Sequence, residues 1–369
     1  MTTLRTTRKL EYDDRVAIQQ ADQAIRKDVI RAIVELVTNC NDSYHRLEDS
    51  GLPASGVIII EVQRRHIDSV LRIRDLAEGM DGDVMDRKVG TYGAATSGFK
   101  EGRSVRGLWG RGLKDAIYGL GHGSLLSVCG DLLNRCALTI RGVTPIYEQQ
   151  KTIRASKVRR KQLEIPSGSN GSIVEIVVSR PDVRFPQFDN LRRALARHFE
   201  LRAIMSNPKR RVLLRELDGR GKVKQELQLI YKAPSGAQVL DETFAVPGFP
   251  ARAHLEVYRS DVALSSPAEE GDFADGGFLL ISKRVVMALT LFKFEHNEFA
   301  SRLYGRLTCD YLHDLLTKDE PVLTATRDGI NWRHEFTKQL KAAAEEKLEP
   351  LVEEERRRAQ WELPVSGRR

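Results

Sequence analysis

The stretch Glu35-Leu-Val-Thr-Asn39-Cys40-Asn41-Asp42-Ser43 decides how this chain is read. Just upstream, Ile25, Val29, Ile33 and Leu36/Val37 recur at i, i+4, i+8 and i+11/i+12, the spacing of one buried helical face. The pattern predicts a helix over 22–44 that loosens toward a polar loop at Asn41-Asp42-Ser43. On that helix Glu35 and Asn39 stand one turn apart, and Asp42 returns almost over Glu35 after two turns. Three polar groups therefore share one stripe of a helix whose other face is aliphatic. Such a stripe is either a solvated face with ordinary capping, or a place where an acid and an amide hold a cation and orient a water.

Working outward, 57–62 (VIIIEV) and 69–74 (SVLRIR) are β-rich and separated by the polar QRRHID, which predicts a hairpin. Residues 75–107 carry seven glycines and little periodicity, and are expected to be mobile. A helix follows at 112–118, then strands at 124–129, 135–141 and 172–178. An amphipathic helix at 190–205 precedes two strands around RVLLREL and KQELQLIY, parted by a turn at 217–222. KAPSGAQ (232–238) is the best linker, and a charged helix spans 332–361. Helices alternating with hairpin-linked strands favour an α/β sandwich over a doubly wound parallel sheet.

Length and composition set the outer bounds. The 369 residues suggest two or three domains, and a 41% hydrophobic share excludes wholesale disorder. The longest apolar attempt, 278–294, is broken by Lys283, Arg284 and Lys293, well short of the roughly 18 apolar residues of a membrane span. The opening MTTLRTTRKLEYDD lacks a secretory apolar core, so a soluble, cytoplasmic protein with no membrane partner is expected. A formal net charge of +8 permits nucleic acid as a partner without demanding it. Cys40, Cys129, Cys136 and Cys309 form no CxxC pair, which argues for structural thiols.

Three further stretches carry chemistry. Asp75-Leu-Ala-Glu-Gly79-Met80 closes the strand LRIR. An acid there serves turn chemistry, or accepts the exocyclic amine of adenine, with Gly79 admitting close backbone approach and Met80 packing on the base. Gly107-Leu-Trp-Gly110-Arg-Gly112-Leu-Lys114 opens a helix, where backbone N–H groups suit phosphate and Lys114 adds a charge. The order is the reverse of a dinucleotide-binding fingerprint, and Phe99 stands where a P-loop requires Lys after Gly93-Ala-Ala-Thr-Ser-Gly98. Asn170-Gly171-Ser172 enters the strand IVEIVV with a hydroxyl suited to a local backbone bond or to an adenine site. Ser43 and His45 are the nearest nucleophile pair, and the 353–358 charge run reads as a solvated helix face.

In this order the four stretches resemble the N box, the two glycine boxes and the final box of the GHKL ATPase superfamily. That superfamily includes the gyrase ATPase subunit, MutL, histidine kinases, MORC proteins and the ninety-kilodalton heat-shock chaperones. The resemblance covers 22–178 by motif and extends to about residue 230 through NLRRALARHFELRAIMSNPKRRVLLREL, which is similar to the end of the gyrase and MutL ATPase domains. GLWGRGLKDAIYGLG is particularly similar to the MORC form. The resemblance implies an α/β (α+β) two-layer sandwich of the Bergerat ATPase type over 1–235. A smaller α/β transducer-like domain over 236–335 and a charged C-terminal helix over 336–369 would follow.

By the same resemblance, Glu35 matches the general base, Asn39 the Mg²⁺ ligand, and Asp75 the adenine-reading acid beside Gly79. Gly107, Gly110 and Gly112 match the phosphate loop, and Ser172 stands where Thr is usual. Ala77 replaces the first glycine of the second box, which puts the shape of that turn in doubt. The glycine-rich stretch would be a lid over ATP. Arg327 in PVLTATRDGI, or Lys283 in GGFLLISKRV, would reach the γ-phosphate. The implied activity is slow, Mg²⁺-dependent ATP hydrolysis driving lid closure and an ATP-dependent homodimer. The alternative is a regulatory adenine-nucleotide module acting through a separate effector protein. Neither a histidine-kinase phosphoacceptor helix nor, after residue 335, length for a topoisomerase domain is expected.

Overall fold

The β-branched run at 57–62 forms β1 (Gly56–Gln63), and β2 (Ser69–Asp75) returns antiparallel with Ile58 opposite Asp75 and Gln63 opposite Val70. This hairpin is central to the computed structural model, which describes residues 13–52, 55–92, 111–324 and 329–362. The strands β3 (Gly121–Cys129), β4 (Leu132–Arg141), β5 (Thr144–Gln149), β6 (Ile153–Arg154), β7 (Gly171–Val178), β8 (Arg210–Leu217) and β9 (Val223–Leu229) complete a nine-stranded sheet. Its order is β5-β4-β3-β7-β2-β1-β8-β9, with β6 on β4. Among the described residues of this sheet only the β1–β8 pairing is parallel.

Alternation gives the sheet two different faces. Ile58, Ile60, Leu71, Ile73, Ile176, Val212 and Leu214 point into one core. That core is closed by α1 (Arg15–Ile25), α2 (Val29–Asp49), α4 (Gly112–Leu120), α6 (Phe188–Arg197) and α7 (Phe199–Ser206), while α3 (Gly82–Gly90) flanks it. Each fully buried aliphatic side chain stabilises by roughly 1.5–3 kcal/mol. The other face carries a charged ladder in which Glu61 accepts from Arg72, Arg74 and Arg215. Beside the ladder, α5 (Lys157–Leu163) and its flanks cover a small apolar cluster that includes Val128, Ala155, Ile165 and Ile173.

A second sheet takes up the chain at Gly236, within the expected linker. It comprises β10 (Gly236–Ala245), β11 (Arg252–Ser260), β12 (Gly277–Ser282), β13 (Val285–Thr290) and β14 (Leu303–Thr308), in the order β10-β11-β14-β12-β13. With α8 (Pro267–Glu270), α9 (Tyr311–Thr317) and α10 (Glu335–Glu362) it builds a separate core around Leu255, Phe278, Leu280, Leu307 and Phe336. The C-terminal helix belongs to that core: Leu340, Ala344 and Leu348 are fully buried, and buried Glu355 accepts from Arg259 at 2.6 Å. The molecule is thus a mixed α+β protein with two sheets. Among the described residues no helix is long and apolar enough to cross a membrane.

Two expected helices are broken. The 22–44 helix divides at Arg26 and Lys27, both left-handed (φ 55° and 59°), after which Asp28 accepts the Ile30 N–H at 2.8 Å and starts α2. No loop follows Asn41; α2 runs on to Asp49. Its polar side chains are satisfied within the fold, since Arg210 donates to Asn41 (3.1 Å) and Glu48 (2.8 Å), and His45 bonds both Asn41 and Glu48. That bonding also occupies the His45 ring, so Ser43 and His45 do not form a nucleophile pair. The 190–205 helix breaks at His198, where ψ turns to 124°. Within the glycine-rich 75–107 stretch, residues 82–90 form the helix α3, started by Asp81 accepting the Val84 N–H at 2.7 Å.

Candidate functional site

α2 packs against β1 and β2, and beside the end of β2, where Asp75 stands opposite Ser172 of β7, opens a cavity of about 550 Å³. Glu35, Asn39 and Asp42 reach it from α2, Asp75, Gly79 and Met80 from the end of β2, Gly112 and Lys114 from α4, and Ser172 from β7. Every described residue of the four stretches that the resemblance assigned to the nucleotide or its metal therefore lines one cavity. Gly107, Gly110 and Arg327 lie outside the described residues.

Asp75 forms the floor. It stands opposite Ser172 across the β2–β7 ladder and is 5% exposed. Burial pushes its carboxyl up to about 6, although the N–H groups of Ala77 and Ser172, the Cys40 thiol and the Arg46 charge all favour the ionised form. The Ala77 N–H donates to Asp75 at 2.9 Å, and Ala77 keeps a negative φ. The alanine thus fits the turn without strain, and its N–H helps to hold the acid. The left-handed position is Gly79 (φ 68°), where an added Cβ would lie 2.2 Å from the Val128 carbonyl oxygen. Only glycine fits there. Ser127, which the sequence did not single out, ties the wall together: it accepts from the Met80 N–H at 2.6 Å and lies 3.1 Å from the Ser172 hydroxyl.

At the other end Glu35 is half-buried and packs on the first residue of α4. A Cβ at Gly112 would lie 1.5 Å from a Glu35 carboxylate oxygen, so the glycine makes room for the acid. Lys114 is 3% exposed and donates to the carbonyls of Lys88 (2.6 Å) and Thr91 (2.5 Å), pinning the end of α3 to α4. Desolvation brings its ammonium down to about 8. It therefore has a structural role beside the phosphate contact expected of it.

The second half of the chain supplies the remaining wall through Asp272, Val285, Val286, Met287, Leu316 and Leu323. Asp272 accepts from Arg31, one turn before Glu35 on α2, at 3.3 Å. Arg284 approaches Glu48 and Asp49 at 3.6 and 3.5 Å, and Arg197 bonds Glu270 and Asp275. Lys283 occupies the β12–β13 turn, where it and Arg284 have φ of 42° and 72°. Its ammonium lies 3.2 Å from Asp314, and the cavity is lined by its neighbours instead.

Cys40, expected only as a structural thiol, and Arg31, which carries no motif, also line the cavity. Cys40 follows Asn39 on α2, lines the cavity and bonds Asp75; burial and that carboxylate push its thiol well up. Its position next to Asn39 was the available signal. The second-half residues left none, because they are ordinary strand and helix residues.

No protein-family model matches the chain, and no curated protein matches it.

Proposed function

We propose that the cavity binds ATP and that the chain is a GHKL-type ATPase with a Bergerat-type nucleotide domain and a transducer-like second domain. One observation carries the reading. Four stretches separated by up to 137 positions, from Glu35 to Ser172, converge on one cavity with a desolvated carboxylate at its floor. A pocket of this size suits a nucleotide-sized ligand. A buried carboxylate with capacity to accept one more donor suits the adenine amine, and Met80 beside it offers an apolar contact to the base.

Magnesium fits the opposite end. The ion takes oxygen donors and keeps water and phosphate in its shell, so one or two protein groups suffice. Asn39 would hold it through its amide oxygen, and bound Mg²⁺ would neutralise charge on the phosphates. Glu35, one turn away, then acts on water as general base. The wall from β13 and α9 gives the second domain access to the nucleotide state, which supports coupling to lid closure and dimerisation.

The test is a pair of measurements on Glu35→Ala. The variant retains Mg·ATP binding by calorimetry and loses roughly 10²-fold or more in turnover. Wild-type turnover in this variant removes Glu35 from the mechanism. If the wild type itself binds ATP without turnover, the chain is instead a regulatory nucleotide module that works through a partner.

A further inference from the structure

The face of the sheet turned away from the cavity carries the densest run of one charge in the chain. Residues 150–163 (QKTIRASKVRRKQL) hold three Lys, three Arg and no acid, in a protein whose formal net charge is only +8. One of the six is structural. Arg160 is 5% exposed and donates to the carbonyls of Ala155, Pro166, Ser169 and Gly130, which fixes α5 against the sheet. The other five, Lys151, Arg154, Lys157, Arg159 and Lys161, are exposed. Arg135, exposed on β4, adjoins them, its carbonyl accepting the Gln150 N–H at 2.9 Å.

Among the described residues none of these six outward cations has a carboxylate partner. The charge run on α10 is different, because it is interleaved with acids that match it: Arg356 and Arg358 bond Glu353 and Glu354. The arrangement on α5 is also locally unfavourable. Lys157 and Arg159 occupy the first turn, where the helix dipole disfavours cations, and Lys157 repels Lys161 at i+4. A rigid ridge of unmatched positive charge is the electrostatic footprint of a polyanion.

The residue types narrow the class. There is no aromatic in 150–163, hence no platform for stacking unpaired bases and no Trp or Phe to enter a lipid interface. What remains is a row of Lys and Arg suited to phosphates on a regular backbone. We infer that the α5 ridge binds the phosphate backbone of a nucleic-acid duplex without reading its sequence. This inference is independent of the nucleotide reading, because the ridge and the cavity lie on opposite faces of the sheet.

The probe is a labelled DNA duplex, titrated by fluorescence anisotropy over a salt series with the full chain. The wild type binds with log affinity falling linearly in log salt. The K157Q/R159Q/K161Q variant lowers that slope by about 3, one per cation, with roughly tenfold or greater loss of affinity near physiological salt. K157R/K161R keeps the wild-type slope. R356Q/R357Q/R358Q, which removes the same charge from α10, also keeps it. If the ridge triple proves unfolded by circular dichroism, the single variants Lys157→Gln and Lys161→Gln serve instead, each lowering the slope by about 1.

No duplex binding by the wild type overturns the inference. Equal losses in the ridge and α10 triples overturn it as well, because net charge alone would then act. So does a ridge variant that keeps duplex binding while losing anionic phosphatidylglycerol vesicles or polyglutamate, which would make the ridge a membrane or acidic-peptide surface.

Discussion

Replacing Asp75 by asparagine should make the empty protein more stable and weaken its hold on ATP. Desolvation pushes the carboxyl up to about 6 in the fold, from about 4 for an ordinary aspartate. A difference of that size corresponds to on the order of 3 kcal/mol at neutral pH. The sign follows from proton binding. Between about pH 4 and pH 6 the folded protein holds the Asp75 proton more tightly than the unfolded chain, so its stability contribution falls as pH rises through this window. Asparagine keeps an acceptor for the Ala77 N–H and, like the neutral carboxyl, buries no charge; the bonds that Ser172 and Cys40 make to the ionised form are already contained in the net upward shift. The expectation at pH 7 is a stabilisation of up to about 3 kcal/mol. Urea unfolding of both proteins at several pH values tests it. The advantage of Asp75→Asn should be largest at pH 7 and shrink or reverse near pH 4. ATP affinity should fall by roughly 10- to 100-fold through loss of a charged acceptor. Parallel stability–pH curves for the two proteins would refute the desolvation argument, and unchanged ATP affinity would refute the adenine assignment.

Three other perturbations separate positioning from packing. Gly112→Ala forces the end of the Glu35 side chain aside; because that end is flexible and alanine favours the helix, unfolding free energy should change by less than about 1 kcal/mol while turnover falls at least about tenfold. Unaltered turnover would show that Glu35 need not rest on α4. Lys114→Met removes the ammonium that pins Lys88 and Thr91 and should lower stability by about 1–3 kcal/mol in urea unfolding; no loss would return Lys114 to a phosphate role alone. Arg327→Ala should slow hydrolysis and spare ADP binding, whereas Lys283→Ala, whose ammonium is held at Asp314, should leave turnover at the wild-type level. The reverse pattern makes Lys283 the γ-phosphate contact.

The first sheet and the lining of the candidate cavity were legible in the sequence for different physical reasons. The β1–β2 hairpin follows from β-branched runs around a polar turn, and the convergence on the cavity was expected from motif order rather than from any single spacing. Helix ends were less legible. Asn41, His45 and Glu48 look like the fraying end of a helix until Arg210, 169 positions after Asn41, is seen to bond Asn41 and Glu48. The break at Arg26-Lys27 depends on two left-handed non-glycine residues, which composition does not signal. The wall contributed by Val285, Met287 and Leu316 is a tertiary fact, since those side chains follow ordinary strand and helix patterns. Ala77 illustrates the converse: its departure from the motif suggested a distorted turn, yet the left-handed position is Gly79 and the Ala77 N–H serves Asp75.

Calorimetric titration of the wild-type chain with Mg·ATP and then Mg·GTP bears most directly on the claim that this cavity reads adenine. The account predicts saturable ATP binding with one site per chain. It predicts GTP weaker by roughly tenfold or more, since guanine sets an acceptor oxygen against the Asp75 carboxylate where adenine offers a donor. Equal affinity for the two nucleotides, or no binding of ATP, would contradict it.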